Sequence, residues 1–119
     1  MTDNIIDTGA LAKLKDMIGG GAEDLAELVD DFVTSFPDQA ALMHRQADGE
    51  DWGALRISAH SCKSNARDLG ATALSALCAE LELQCKSGAP TEPGLQISGI
   101  EAAGAAAMTA LRQLDLGDV

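Results

Sequence analysis

Hydrophobic residues recur every three or four positions along this chain, which is the period of an amphipathic α-helix. Gly19-Gly20-Gly21 and Pro37 predict breaks between helices, and Gly70 predicts the end of another. Residues 87–94 predict a loop, because turn-forming residues dominate them. The pattern therefore predicts six helical segments, over about residues 9–18, 22–35, 37–47, 52–69, 72–86 and 95–114.

Each predicted helix has an apolar side that we expect to face a shared core. The first helix presents Leu11, Leu14 and Ile18. On the fifth, the expected inward residues are Leu74, Leu77, Cys78, Leu81 and Cys85, and the outward ones are Glu80, Glu82, Gln84 and Lys86. The last helix presents Ile100, Gly104, Ala107, Leu111 and Leu114.

No stretch alternates with the period of a β-strand, so the predicted fold is all-α. We expect an antiparallel four-helix bundle with one or more additional short N-terminal helices. The chain is predicted to form a single domain over residues 1–119, with the N-terminal helix and glycine-rich break in 1–21 and the bundle in 22–115. The tail from Asp115 to Val119 is expected to fray, and together with Met1 this favours a free protein.

The fourth predicted helix carries two different stripes, about 110° apart on a helical projection. The apolar stripe consists of Leu55, Ala59, Cys62, Ala66 and Leu69. The second stripe consists of Arg56, His60, Lys63, Ser64 and Arg67. Three of the chain's eight basic residues thus surround one histidine. This pattern predicts a helix that packs on the core and presents a histidine to solvent.

Composition narrows the classes of function. Aromatic residues make up only 3% of the chain, which predicts an aliphatic, alanine-rich core. The net charge of -11 argues against binding to nucleic acid or to an anionic membrane, since both would repel this surface. No apolar run has the length of a membrane span, and Met1–Asn4 lack the basic start of a signal peptide. We therefore expect a cytoplasmic monomer.

Three cysteines, Cys62, Cys78 and Cys85, form no CxxC pair and have no zinc-site spacing. We interpret them as reduced, mostly buried thiols, with a regulatory disulfide as the alternative. The second histidine, His44, has no patterned neighbours and is expected to be a partly exposed surface residue.

The His60 stripe allows two interpretations from its spacing alone. One is an ordinary solvated helix face. The other is a phosphoacceptor site, in which neighbouring cations depress the basicity of the imidazole and then stabilise the anionic oxygens of a phosphoryl group. Other chemistries lack their residues: neither histidine has the Glu-x-x-His spacing of a di-iron bundle, and the chain has no G-x-S-x-G elbow and no ATP-binding P-loop.

The run from His60 to Gly70, HSCKSNARDLG, resembles the active helix of histidine-containing phosphotransfer (HPt) domains. The resemblance covers His-x-x-Lys, the small residues after it and the closing Leu-Gly, and it extends over about residues 22–88. Two positions differ: Ser64 stands where the family commonly has Gly, and Cys62 where an aliphatic residue is common.

The resemblance implies a phosphorelay intermediate. His60 would accept a phosphoryl group from an aspartate of a receiver domain, and pass it to another receiver domain. Lys63 would contact the phosphoryl oxygens, and Arg56, Ser64, Arg67 and the apolar Ile57 would face the partner. The expected partners are receiver domains of response regulators or a hybrid histidine kinase. We expect no cofactor on this chain and expect Mg²⁺ on the receiver domain.

Two alternative functions stay open at this stage. The chain can be a helical adaptor without chemistry, whose His60 face binds a signalling partner. It can also be a phosphoacceptor domain that a histidine-kinase ATPase domain phosphorylates directly, acting in trans. Because the sequence has no ATP site of its own, we predict a phosphohistidine carrier rather than a kinase.

Overall fold

The computed structural model describes residues 5–119, so Met1–Asn4 and the prediction made for them lie outside the described residues. The elements are α1 (Thr8–Ile18), α2 (Ala22–Asp48), α3 (Trp52–Asp68), α4 (Thr72–Lys86), α5 (Pro93–Gln113) and a 3₁₀ turn, Leu116–Asp118. Within residues 5–119, extended pairing is limited to an isolated bridge between Ile6 and Ala71. The predicted all-α fold is confirmed.

Four helices, α2 to α5, form the bundle. Each packs against two neighbours, α2 against α3 and α5, and α4 against α3 and α5, while α1 lies across α2 and α3. The core is aliphatic, as the composition predicted, with the tilted ring pair Phe32 and Phe36 as its aromatic part. All five residues of the apolar stripe of α3 are buried, namely Leu55, Ala59, Cys62, Ala66 and Leu69.

The predicted break at Pro37 is wrong, because α2 runs through it as one helix of 27 residues. A proline inside a helix removes one backbone hydrogen bond and costs about 3 kcal/mol. Burial of the apolar residues before and after Pro37 offsets that cost. The buried row of α2 keeps its helical spacing across the proline, since Phe32 and Phe36 precede it and Ala40 and Met43 follow it. The third predicted helix is therefore the second half of α2.

Helix ends follow local chemistry. Asp7 caps α1 by accepting from the backbone N–H of Gly9, and Asp51 caps α3 by accepting from that of Ala54. Gly19 ends α1 with a φ of 64°. Gly70, with a φ of 80°, lies between α3 and α4, where its carbonyl accepts from the N–H of Asp7 at 2.8 Å. A Cβ there would lie 2.4 Å from the Asp7 carbonyl oxygen, so this contact requires glycine.

Three further packing predictions need correction. Ile18 and Leu77 are each 41% exposed, because Ile18 is the last residue of α1 and Leu77 lies at the edge of the buried row of Leu74, Cys78 and Leu81. The tail that was predicted to fray makes contacts with α1, since the Lys15 ammonium donates to the carbonyl oxygens of Leu116 and Val119 at 3.2 and 3.4 Å. On α5, Gly104 is buried as predicted, because the Phe36 ring occupies the space that its Cβ would need.

Candidate functional site

The phosphoacceptor candidate His60 lies in the middle of α3, with 57% of its side chain exposed. The buried row of α3 fixes the helix against the core and leaves the imidazole at the surface. One ring nitrogen is held: Nδ1 lies 2.8 Å from Oε2 of Glu82 on α4. For the residues that the structure describes, no hydrogen bond involves the other ring nitrogen, Nε2.

Glu82 joins His60 to Lys63. Its second oxygen, Oε1, lies 2.6 Å from the Lys63 ammonium, and only 8% of its side chain is exposed. The Lys63 side chain is 24% exposed. The imidazole and the ammonium therefore bind the two oxygens of one buried carboxylate. Glu82 was predicted to lie on the outer side of its helix, and this prediction is wrong.

The ionisation of Glu82 follows from these contacts. The hydrogen bond from Lys63 is the largest influence and lowers the pKa of the carboxyl group; burial opposes it, and the hydrogen bond from His60 lowers the pKa further. At neutral pH Glu82 is an anion that only accepts hydrogen bonds. The proton of a neutral imidazole must then lie on Nδ1 and be donated to Glu82. Nε2 consequently carries the free lone pair.

The α3–α4 hairpin gives this site its geometry. Only three residues, 69–71, separate the two helices, and the Ser75 hydroxyl of α4 donates to the carbonyl oxygen of Lys63 at 3.1 Å. On the other flank of α3, the Gln39 amide of α2 donates to the carbonyl oxygen of Ser58 at 3.4 Å. Helix α3 is thus held from both sides, which keeps His60 and Glu82 in register.

The other residues of the predicted stripe do not bind the imidazole. Arg56 lies near the thiol of Cys85, and Arg67 makes a loose, exposed ion pair of 3.8 Å with Asp68. No hydrogen bond or ion pair joins either arginine to His60 within residues 5–119. Of the three cations, the structure brings Lys63 alone into the cluster. The charged group in contact with the imidazole is a carboxylate rather than the predicted ring of cations.

Two predicted partner-facing residues keep surface positions. Ser64 is partly exposed one turn after His60, and Ile57 is 60% exposed one turn before it. A large apolar side chain with that exposure, three residues from the histidine, is available to a docking partner. Both lie one turn from His60 on α3, and their contact with a partner stays a prediction.

The predicted exposure of His44 and the predicted burial of the three cysteines are confirmed. His44 is partly exposed and contacts Glu101 of α5 at 3.0 Å. All three cysteines are free and buried. The hydrogen bond between the Cys62 and Cys78 thiols raises the pKa of Cys78, as does burial, and it lowers the pKa of Cys62 against the effect of burial. Burial raises the pKa of Cys85. Burial of all three thiols limits their access to solvent, which agrees with a structural role in the core.

Glu82 was the residue that the sequence analysis missed, although its position carried a signal. It lies four residues after Cys78 and three before Cys85, so it belongs to the edge of the buried row of α4. A carboxylate in such a row needs a partner. The pairing across two helices, 22 residues apart, could not be read from the periodicity of either helix alone.

The described residues hold no group of three or more His, Cys, Asp or Glu side chains that could bind a metal ion. Within the same range, no helix combines the length and the apolar character needed to cross a membrane.

Comparison with known proteins identifies the family of this chain. The family model described as Hpt domain matches residues 27–114. The crystal structure of histidine-containing phosphotransfer protein B (HptB) from Pseudomonas aeruginosa PAO1 is similar, with a TM-score of 0.83 and 26% sequence identity over 94% of this chain and 95% of that chain. No curated protein sequence gives a significant match. Since the family model covers most of the chain, including the cluster of His60, Lys63 and Glu82, the chain belongs to the Hpt domain family.

Proposed function

We propose that this chain is a phosphorelay intermediate whose His60 carries the phosphoryl group on Nε2. The observation that carries the proposal is the 2.8 Å contact between Nδ1 of His60 and the buried carboxylate of Glu82. It selects the tautomer in which the exposed nitrogen is the nucleophile. Membership of the Hpt domain family supports the same reaction class.

The transfer needs no proton to leave the imidazole. The Nε2 lone pair attacks the phosphorus of an aspartyl phosphate on a receiver domain; the N–P bond forms as the P–O bond to the aspartate breaks, and the aspartate leaves as a carboxylate. The ring becomes cationic while its proton stays on Nδ1, and Glu82 stabilises that cation. Transfer to a second receiver reverses these steps. Glu82 is therefore a positioning residue that acts through His60.

Lys63 supplies positive charge beside the nucleophile. One of its three N–H groups binds Glu82, which leaves two for the oxygens of an arriving phosphoryl group. Ile57 provides an apolar contact for the partner, and Arg56, Ser64 and Arg67 border it. Mg²⁺ belongs to the receiver domain. We also propose a cytoplasmic location and a monomeric state, which would leave the His60 face free for two receivers in turn.

The proposal is tested by phosphoryl transfer. A panel of purified receiver domains is phosphorylated with ³²P-labelled acetyl phosphate, and each is mixed with the wild type, with His60→Gln or with His44→Gln. We expect label on the wild type and on His44→Gln, and none on His60→Gln. The matched control removes the other histidine, which also contacts a glutamate.

Two outcomes contradict the proposal. Stable receiver binding without label on the wild type indicates a helical adaptor. Label that appears with a histidine-kinase ATPase domain and ATP, but with no phosphorylated receiver, indicates a phosphoacceptor domain that a kinase charges directly.

A further inference from the structure

A groove beside the phosphoacceptor face has no part in the proposed chemistry. It lies where α1, α2 and α3 meet and encloses about 220 Å³. Its floor is apolar and consists of Leu14, Leu28, Phe32 and Leu69. The helices meet at this point without filling the space, so a partner can insert a side chain here.

The rim of the groove is acidic. Asp31 of α2 and Asp68 of α3 both line it and are both exposed. The remaining lining side chains are uncharged, and no basic residue lines this groove within the described part of the chain. Arg67 touches one oxygen of Asp68 at 3.8 Å, a loose contact that a better-placed cation can replace.

These features select the chemistry of the occupant. A Lys or Arg side chain lays an apolar stem on the floor and brings its charge to the two carboxylates at the rim. An anionic group would be repelled, and a purely apolar side chain would cover the carboxylates without binding them. The net charge of -11 also attracts a basic surface over a longer range.

The groove lies within reach of a partner that is docked at His60. Asp68 follows His60 by eight residues on the same helix, a rise of about 12 Å. A protein interface of standard size buries about 800 Å² on each partner, which is large enough to include both His60 and Asp68. We propose that this groove receives a Lys or Arg side chain of the receiver domain that exchanges its phosphoryl group with His60. This inference rests on the proposed function and assigns a specificity determinant to it.

The test uses the receiver domain that labels His60 in the experiment above. Transfer rates are measured against receiver concentration for the wild type, for Asp31→Asn/Asp68→Asn and for the matched control Asp30→Asn/Asp48→Asn. Asp30 and Asp48 are exposed residues of α2 outside the groove, and the control changes the net charge by the same amount. Circular dichroism verifies that both variants fold.

Each exposed ion pair contributes a factor of about 1.5 to 5 in affinity. We therefore expect the loss of both pairs to raise the half-saturating receiver concentration about 2- to 25-fold, with the maximal transfer rate unchanged. The control variant should stay within about twofold of the wild type. The difference between the two variants should shrink at 0.5 M salt, since salt screens exposed charge pairs.

Other outcomes overturn the inference in distinguishable ways. Equal half-saturation for the groove variant and the control, with transfer intact, removes the groove and leaves the proposed function standing. A lower maximal rate at unchanged half-saturation also removes it, because the groove would then act on the chemistry rather than on docking. If no receiver labels His60, the proposed function fails, and the groove loses the occupant assigned to it.

Discussion

Replacing Glu82 with Gln separates the charge of this residue from its shape. A carboxylate accepts from Lys63 with one oxygen and from His60 with the other. A glutamine side chain has one acceptor oxygen and one donor NH₂. Since an ammonium only donates, Lys63 takes the oxygen, and the NH₂ group then faces Nδ1 of His60. That arrangement favours the opposite imidazole tautomer, with the proton on Nε2.

The expected loss of transfer follows from the bond that is lost. A hydrogen bond to a charged group contributes about 1.5–3 kcal/mol, and each 1.4 kcal/mol corresponds to a factor of ten. We expect Glu82→Gln to slow transfer from a phosphorylated receiver about 10- to 100-fold at saturation. Rapid-quench measurements give the rate, and ¹⁵N chemical shifts of the imidazole report the tautomer directly.

The same substitution lowers stability. Removing one partner of a buried ion pair costs about 3–5 kcal/mol. This must be discounted here, because Lys63 and His60 are 24% and 57% exposed and regain contact with water. About 1–2 kcal/mol is left. A chain of 119 residues has an unfolding entropy of about 0.25 kcal/mol/K, so Tm should fall by about 4–8 °C.

The pH dependence of the unfolding free energy gives an independent check that the ionised form of Glu82 stabilises the fold. The pKa of Glu82 is lowered in the folded protein, so its carboxylate stabilises the fold above its ordinary pKa of 4.5. That stabilisation is lost as the pH falls through the folded pKa. The difference in unfolding free energy between wild type and Glu82→Gln should therefore be full at pH 7 and shrink in acid.

Glu80→Gln is the matched control, because Glu80 is an exposed carboxylate two residues away on the same helix. It should leave the transfer rate and the imidazole tautomer unchanged. The positioning role of Glu82 is refuted if Glu82→Gln transfers at the wild-type rate while Nδ1 of His60 keeps the proton. A rate loss shared equally by the Glu80 variant would also refute it, because the effect would then reflect net charge alone.

Three further substitutions have expected outcomes. Lys63→Ala should slow transfer about tenfold or more with unchanged helicity by circular dichroism, since it removes the cation beside His60; unchanged stopped-flow rates would contradict this. Gly104→Ala should destabilise the bundle by about 1–3 kcal/mol in urea titrations, because the new methyl group overlaps the Phe36 ring; an unchanged midpoint would refute the tight contact. Pro37→Ala should raise the unfolding free energy by about 1–2 kcal/mol by restoring a helical hydrogen bond; a lower value would indicate that α2 depends on the proline.

Much of the bundle could be predicted from periodicity, because burial of an apolar stripe decides where a helix lies. The residue limits of α4 and the cap at Asp51 are confirmed. The predicted break at Pro37 was wrong because it rested on the helix-breaking tendency of proline alone and left out the burial of the apolar row around it. The apolar row continues in register from Phe36 to Ala40, and its burial outweighs the proline penalty.

The sequence predicted two of the three residues that bind one another at the candidate site. His60 and Lys63 lie on one helix at a spacing that places them on one face. Glu82 comes from another helix, so its role depends on how α3 and α4 are aligned. Periodicity does not determine that alignment, which is set by core packing and by contacts such as that of Ser75 with the Lys63 carbonyl.

The three residues that bind one another at the site all belong to a single helical hairpin, α3 and α4. The groove for the partner takes four of its eight lining residues from α2 and one from α1, and the other three are Asn65, Asp68 and Leu69 at the end of α3. Part of the surface that selects a partner therefore lies outside the reactive hairpin. Exchanging Asp31 and Ser35 of α2 should change the affinity for a receiver while the contacts of His60, Lys63 and Glu82 stay intact. Partner choice can change at these positions without loss of the nucleophile.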